Sequence, residues 1–340
     1  MEAHARIRPF GKLVGGGAMV AGVAALAVSA FTWPAARLEP RDLPVGVAGP
    51  APAAAAFDQR LAERGNFFDV HRYASEAHAR RAIEERDVYG ALVVSAEGTT
   101  LLTASAASPL VAQMLEQALA PAAPAATRVV DVVPADRDDP RGFAFNSLLL
   151  PLSLVATVTG LIVAVATRPG LGQIGGLVAA AALAALVAIS IVQGWLGVLD
   201  GDWWANTGVV ALIVLAIASL AAGLAALFGV PGFLLAALLM IFVGNPLSGV
   251  STAPALLPEW ASLLGQLLPP GAGGSLLRSS AFFDGNGSAG PLTVLLAWGA
   301  LGLAAVWVGA RLPGRGRAFA AHPAAGLRST RSRQSTQPTT

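Results

Sequence analysis

The dominant pattern in the chain is a long hydrophobic block over residues 143–310, which only six charged residues interrupt. These residues are Arg168, Asp200, Asp202, Glu259, Arg278 and Asp284. The apolar runs between them are about 20 residues long, which is the length that a helix needs to cross the hydrocarbon of a bilayer. The block therefore predicts a membrane domain in which the charged residues mark the loops.

A five-helix membrane domain is expected over residues 143–311, with one further helix before it. The five helices are expected at residues 143–167, 174–194, 207–228, 233–250 and 292–310. Six transmembrane helices place both termini in the cytoplasm, because the basic residues lie in the tails and at Arg168, whereas Asp200 and Asp202 fall on the other side. The polar tail over 318–340 is expected to be disordered in the cytoplasm.

The first helix is expected at residues 13–33, after a cytoplasmic N-terminus over 1–12 that contains Arg6, Arg8 and Lys12. This stretch also resembles a signal peptide, so there are two interpretations: a cleaved signal and an uncleaved transmembrane helix. Its apolar run of about 19 residues is longer than the roughly 7 to 15 residues of a signal peptide. The length favours the uncleaved helix.

The helix expected at 233–250 differs from the others because helix breakers stand near its end. In the sequence Gly244-Asn245-Pro246-Leu247-Ser248-Gly249, glycine and proline replace the apolar residues that would continue the helix. Non-helical backbone at membrane depth must be buried in protein or face water. We therefore expect a candidate gate at this helix break, formed by Gly244, Asn245, Pro246, Ser248 and Gly249.

Residues 253–270 follow the helix break and predict a short amphipathic segment that is bounded by prolines. The segment is too short to cross a membrane, which indicates an interfacial or re-entrant helix. Residues 271–290 after it are glycine-rich and polar. Arg278 and Asp284 are expected in an outer loop, where they could pair. The candidate residues of this outer segment are Pro258, Glu259, Trp260, Pro269, Pro270 and Arg278.

Between the first two transmembrane helices, residues 34–140 change in character and predict a small extracytoplasmic α/β domain. Strands are expected at 43–48, 67–73, 88–95, 99–104 and 128–133, and helices at 53–64, 75–86 and 109–119. Ser75 is the expected N-cap of its helix. The strand at 88–95 is apolar and β-branched, which is typical of a central strand, and Glu97-Gly98 predicts a hairpin turn after it.

This domain offers weak candidates for chemistry. Asp69, His71, Glu76 and His78 lie close in sequence, but their spacing suits solvated side chains better than metal ligands. Ser105 and Ser108 lack the flanking glycines of a nucleophile elbow. No catalytic, metal or cofactor site is therefore predicted, and a binding module or stalk fits the domain better than an enzyme.

Composition supports a membrane protein and narrows its class. The chain is 55% hydrophobic and 12% charged, compared with about 25% charged residues in soluble domains. The basic excess lies in the tails, so it indicates topology rather than nucleic-acid binding. Lys12 is the only lysine among 22 basic residues, a bias that suggests a high-GC bacterial genome and hence the bacterial cell membrane. The predicted spans contain no ionisable residue, which disfavours a proton-coupled antiporter.

One span, an α/β insert and five further spans together give a polytopic α-helical membrane protein. In this order, the arrangement resembles the membrane subunits of ABC-2 type transporters, in particular the YhgE/Pip-like and DUF3533-like branch. The residues that carry the resemblance are Leu43-Pro44-Val45, Val88 to Val94, Gly244 to Gly249, Leu257-Pro258, Leu268-Pro269-Pro270-Gly271 and Leu277-Arg278 before Phe283. They cover most of residues 10–312.

The resemblance implies a subunit that dimerises in the membrane, with itself or a related permease, and exports a small hydrophobic or envelope-related compound. The chain has no Walker A sequence, so any ATPase is expected on a separate polypeptide and the chain itself is not an enzyme. Only 168–173 is available for the cytoplasmic helix by which such permeases contact their ATPase. The alternative hypothesis is a membrane-anchored binding or scaffold protein without transport.

Overall fold

The computed structural model describes residues 7–50, 55, 67–119 and 128–312. The tail over 318–340 and, apart from Ala55, the helix expected at 53–64 lie outside the described residues. The described helices are α1 (Ile7–Ala35), α2 (Glu76–Glu84), α3 (Pro109–Leu119), α4 (Phe143–Ala166), α5 (Leu171–Ile189), α6 (Trp203–Phe228), α7 (Val230–Leu238), α8 (Glu259–Gln266), α9 (Pro269–Phe282) and α10 (Ala289–Arg311). π-Helical turns extend α5 over Ser190–Trp195 and α7 over Leu239–Gly244.

The α/β domain is built on one mixed sheet in the order β2-β1-β3-β4-β5. Its strands are β1 (Leu43–Ala48), β2 (Phe68–Tyr73), β3 (Gly90–Ser95), β4 (Gly98–Thr103) and β5 (Arg128–Asp131). β1 runs parallel to β2 and β3, β4 is antiparallel to β3, and β5 is parallel to β4. The strand expected at the centre is therefore central, and the expected hairpin joins β3 to β4. Ser75 caps α2 by accepting from the His78 N–H.

One face of this sheet shares its hydrophobic core with the segment that follows the helix break. Leu43, Leu92 and Leu115 pack in the same buried cluster as Ala253 and Leu256, which follow the helix break. Burial of aliphatic side chains stabilises such a contact by about 25 cal/mol for each Å² removed from water. The domain and the segment after the break therefore form one packed unit.

Among the described residues, five helices are long and apolar enough to cross a membrane. They are α1, α4, α5 with its π turn, α6 and α10. The chain is a helical membrane protein with a small sheet domain. The helix expected at 233–250 instead begins at Val230 and ends at Gly244. At 1.5 Å per residue it covers about 22 Å, less than the roughly 30 Å of a bilayer core.

α6 is the central helix, and α10 approaches it closely through glycine. A Cβ at Gly302 would overlap Ser219 and the Leu220 backbone, and one at Gly223 would lie 2.7 Å from the Ala305 Cβ. The Ser219 hydroxyl donates to the Gly299 carbonyl at 3.4 Å. Small residues allow such close packing where lipid supplies no hydrophobic driving force between helices.

α8 and α9 form a hairpin that packs between the membrane helices. It lies at the end of these helices to which the α/β domain is attached. Trp298 is the tenth residue of α10, and its Nε1 donates to the Leu267 carbonyl at 2.8 Å. The hairpin turn thus lies about 14 Å below the start of α10. Asn286, just before α10, donates to the Glu84 carbonyl of the domain. The hairpin packs among these helices, and it continues past the expected 253–270 to Phe282.

Candidate functional site

The helix break begins where the π turn of α7 can no longer continue. The Asn245 N–H and side-chain Nδ2 both donate to the Met240 carbonyl, at 3.1 and 2.9 Å. Pro246 has no N–H to extend the ladder, and Gly249 adopts a left-handed φ of 66°. The backbone therefore leaves the helix over 244–249, as expected from these residue types.

The hairpin of α8 and α9 holds the helix break through side-chain hydrogen bonds. Gln266 Nε2 donates to the Ser248 carbonyl at 2.8 Å, and Ser275 Oγ donates to Gln266 Oε1 at 2.7 Å. Gly265 lies against the Leu247 backbone so closely that a Cβ there would overlap the Leu247 carbonyl. The break and the hairpin consequently form a single structural element.

Arg278 lies in the buried helix α9 and not in an outer loop. Its residue surface is 4% exposed, and its Nη2 donates to the Val250 carbonyl at 3.0 Å and to Asn146 Oδ1 at 3.4 Å. The guanidinium lies 4.8 Å from the centre of the Phe145 ring. The expected pairing with Asp284 is wrong, because hydrogen bonds and an aromatic face surround the cation in place of a carboxylate.

A second arginine, Arg86, joins the α/β domain to the same helix. Arg86 follows α2 with a φ of 67°, and its Nη1 donates to the Ser275 carbonyl at 3.0 Å and to Ser279 Oγ. Its guanidinium also covers the Phe283 ring at 5.2 Å. Burial lowers the pKa of Arg86. The domain thus contacts the hairpin through a half-buried cation.

A cavity of about 470 Å³ lies between α1, α4 and the helix break. Asn245, Pro246, Ser248 and Gly249 all line it, whereas Gly244 does not. The remaining lining residues are Phe31, Pro34, Ala35, Leu38, Asn146, Ser147, Leu149, Leu150, Pro151, Val250, Ser251, Thr252 and Leu257. Four of the five candidate gate residues therefore face one cavity.

The candidate residues of the outer segment fall around this site in different ways. Trp260 packs on Trp33 of α1, with the ring centres 5.3 Å apart. Pro269 and Pro270 occupy the first turn of α9, and Pro270 contacts Gly244. Pro258 precedes α8, and the exposed Glu259 begins it. None of the six candidate residues is among those that line the cavity.

Two groups of the site were not predicted from the sequence. The polar pair Asn146-Ser147 lines the cavity from the first turns of α4, and its position at the start of an apolar helix is a signal that could have identified it. Arg86 carries no such signal, because a charged residue after an amphipathic helix is typical of a solvated surface.

The polar cluster of the α/β domain forms only local contacts. His71 Nε2 lies 3.1 Å from Asp69 Oδ2, and Arg80 pairs with Glu76 one turn away. His78 Nδ1 lies 2.8 Å from the Ser75 hydroxyl. Within the part of the chain that the structure describes, no three acidic, histidine or cysteine residues form a group able to hold a metal ion.

No protein family, curated protein or solved structure matches this chain. The geometry of the site therefore carries the functional argument, together with the resemblance drawn from the sequence.

Proposed function

We propose that the chain is the permease subunit of an ABC-2-like exporter in the bacterial cell membrane. The observation that carries the proposal is the cavity beside the helix break. A helix of insufficient length to span the bilayer ends in non-helical backbone, and this backbone lines a cavity with both polar and apolar walls. Sites of this kind at discontinuous helices suit binding and passage of a substrate in membrane transporters.

In this proposal, the re-entrant hairpin is the moving part of the gate. It is attached to the helix break through the hydrogen-bonded side chain of Gln266, and displacement of the hairpin opens the cavity without unfolding a membrane-spanning helix. The substrate is a small hydrophobic or envelope-related compound. The α/β domain lies outside the cell and both termini lie in the cytoplasm.

The proposed exporter needs partners, because the sequence has no Walker A loop to bind ATP. A separate ATPase supplies the energy, and a second copy of this chain or a related permease completes the membrane unit. The helices that face lipid in the single chain, α1 above all, supply the apolar surface for such contacts.

Purification of the full-length protein from its native membrane into lipid nanodiscs tests this proposal. We expect an ATPase to co-purify, and the complex to move fluorescent amphipaths across vesicle membranes only when ATP is hydrolysed. A chain that is recovered alone and supports no ATP-dependent flux would contradict the exporter.

One observation favours a second function, a membrane-anchored binding or scaffold protein. Ala253 and Leu256, in the segment after the helix break, pack in the hydrophobic core of the α/β domain. The break therefore also positions that domain. A scaffold of this kind would retain an envelope partner through the domain, and substitutions in the cavity would leave that binding unchanged.

A further inference from the structure

The cavity at the helix break has an apolar side and a hydrogen-bonding side. Phe31 and Leu150 form part of the apolar side, from α1 and α4, and they are 40% and 44% exposed. The polar part of the lining comes from Ser248, Thr252 and Asn146, which lies one turn before Leu150 on α4. Its volume falls within the roughly 300 to 1,000 Å³ of small-molecule sites. The two sides suit an amphipathic molecule whose chains continue past Phe31 and Leu150 into the lipid.

The charges around the cavity determine the sign of the headgroup. The lining residues carry no ionisable group, whereas Arg278 lies directly behind the hydrogen-bonding side. It binds Asn146 and Val250, two residues that line the cavity. Its Nε has no hydrogen-bond partner among the described residues, and no carboxylate of those residues forms an ion pair with it.

Arg86 of the α/β domain adds a second, half-buried cation, which contacts α9 from outside the helix. It is bound by Ser275 and Ser279 rather than by a carboxylate. Charges in a water-poor environment interact over longer distances than exposed ones, because neither solvent nor salt screens them fully. The two arginines therefore favour a negative charge in this cavity, whose lining contains no acid. The buried carboxyls of Asp136 and Asp139 line a separate, smaller pocket with Arg278 and offset part of its charge.

We propose that this cavity binds the phosphate-bearing headgroup of an anionic lipid. Phosphate oxygens accept hydrogen bonds from the Asn146 amide and from the hydroxyl of Thr252, while the acyl chains lie against α1 and α4. Arg278 acts as a positioning residue through Asn146 and supplies the charge. The inference deepens the proposed function and rests on it only for the transport of the bound lipid, since binding requires no ATPase.

Binding to the full-length protein in phosphatidylcholine nanodiscs tests the inference. Native mass spectrometry would compare phosphatidic acid with diacylglycerol of the same chains, and with soluble glycerol 3-phosphate. We expect phosphatidic acid to bind with a Kd about tenfold or more below that of diacylglycerol, and glycerol 3-phosphate to bind more weakly than the lipid. Equal affinity for both lipids would overturn the assignment, and tight binding of glycerol 3-phosphate would assign the site to a soluble phosphate.

A matched pair of substitutions places the binding in the cavity. Leu150→Trp fills the cavity from its apolar side, whereas Leu154→Trp, one turn further along α4 and 52% exposed, lies beyond the lining residues. We expect the first to abolish selective binding and the second to retain it. Equal binding by the two variants would overturn the site.

The charge of Arg278 is tested separately. Arg278→Gln should reduce the preference for phosphatidic acid over diacylglycerol, and Arg278→Lys should retain part of it. If the glutamine variant fails to fold, the comparison of Leu150→Trp with Leu154→Trp still decides the question. Selective binding without ATP-dependent flux would contradict only the exporter, and flux without selective binding would contradict only the lipid site.

Discussion

Arg278 shows how single residues hold the site together. An arginine remains protonated in proteins and presents five N–H donors, so its burial requires acceptors. In this chain the acceptors are the side chain of Asn146 and the backbone carbonyl of Val250, which follows the helix break. The cation thereby connects α9 to the start of α4 and to the segment after α7.

Asp200 gives a pH-dependent prediction at the same scale. Burial raises the pKa of this carboxyl, and Asp136, which hydrogen-bonds to it, raises it further. A carboxyl whose pKa is raised by folding stabilises the fold below its ordinary pKa, and this contribution is lost as the pH rises through the raised value. As the pH rises from the ordinary pKa of an aspartate to the raised pKa of Asp200, we expect the Tm of the detergent-solubilised protein to fall. Asp200→Asn should remove this part of the fall.

Thermal melts over a pH series measure this effect. Glu97→Gln, in the exposed hairpin turn, is the control and should retain the wild-type profile. If Asp200→Asn also retained the full pH dependence, the contact between Asp136 and Asp200 would not be its source.

At the scale of elements, the fit of α8 against the helix break depends on Gly265. A methyl group at this position would overlap the Leu247 carbonyl, and overpacking of this kind costs about 1 to 3 kcal/mol. We expect Gly265→Ala to lower the Tm of the protein in detergent. Gly175→Ala, in α5, is the control because no atom lies within 4 Å of its added Cβ. Equal melting of the two variants would show that the hairpin is not packed against the break.

The contact between α2 and α9 gives another prediction. Arg86→Ala removes the donor to the Ser275 carbonyl and to Ser279, and loss of a charged hydrogen bond costs about 1.5 to 3 kcal/mol. Hydrogen exchange at the amides of α9 should therefore become faster. Arg81→Ala, on an exposed position of α2, should leave the exchange unchanged. Unchanged exchange in the Arg86 variant would mean that the domain does not restrain the hairpin.

The sequence predicts some elements well and others poorly, for physical reasons. Apolar length identifies α4, α5, α6 and α10, and breaker residues identify the end of α7, because both are local properties. α9 is different. Gly271, Gly273 and Gly274 disfavour a helix in isolation, but each fits against a neighbouring atom that a Cβ would meet at 2.8 Å or less. Tertiary packing of this kind has no local signature.

The burial of Arg278 illustrates the same limit within the site. A lone charge in a hydrophobic sequence is most often in a loop, and this expectation holds for Arg168, Asp200, Asp202 and Asp284. It fails for Arg278, because acceptors far apart in the chain, at Asn146 and Val250, replace water around the guanidinium. Residues of the helix break, by contrast, could be predicted because one short stretch contains all of them.

For the whole molecule, the proposed topology can be read directly from cysteine accessibility, since the chain contains no native cysteine. Ser105 in the α/β domain and Ser288 before α10 are expected outside the cell, and Ser335 in the cytoplasm. Single cysteines at Ser105 and Ser288 should react with an impermeant thiol reagent in intact cells, and one at Ser335 only after lysis. Labelling of Ser335 in intact cells would contradict the proposed orientation.

The central claim is that the cavity at the helix break lies on the path of an exported amphipath. The most direct test is ATP-dependent transport of a fluorescent phosphatidic acid by the complex in vesicles, compared between Leu150→Trp, which fills the cavity, and Leu154→Trp, which does not. We expect transport by the wild type and by Leu154→Trp at similar rates, and at least a tenfold slower rate for Leu150→Trp. Equal rates for the two variants would contradict it.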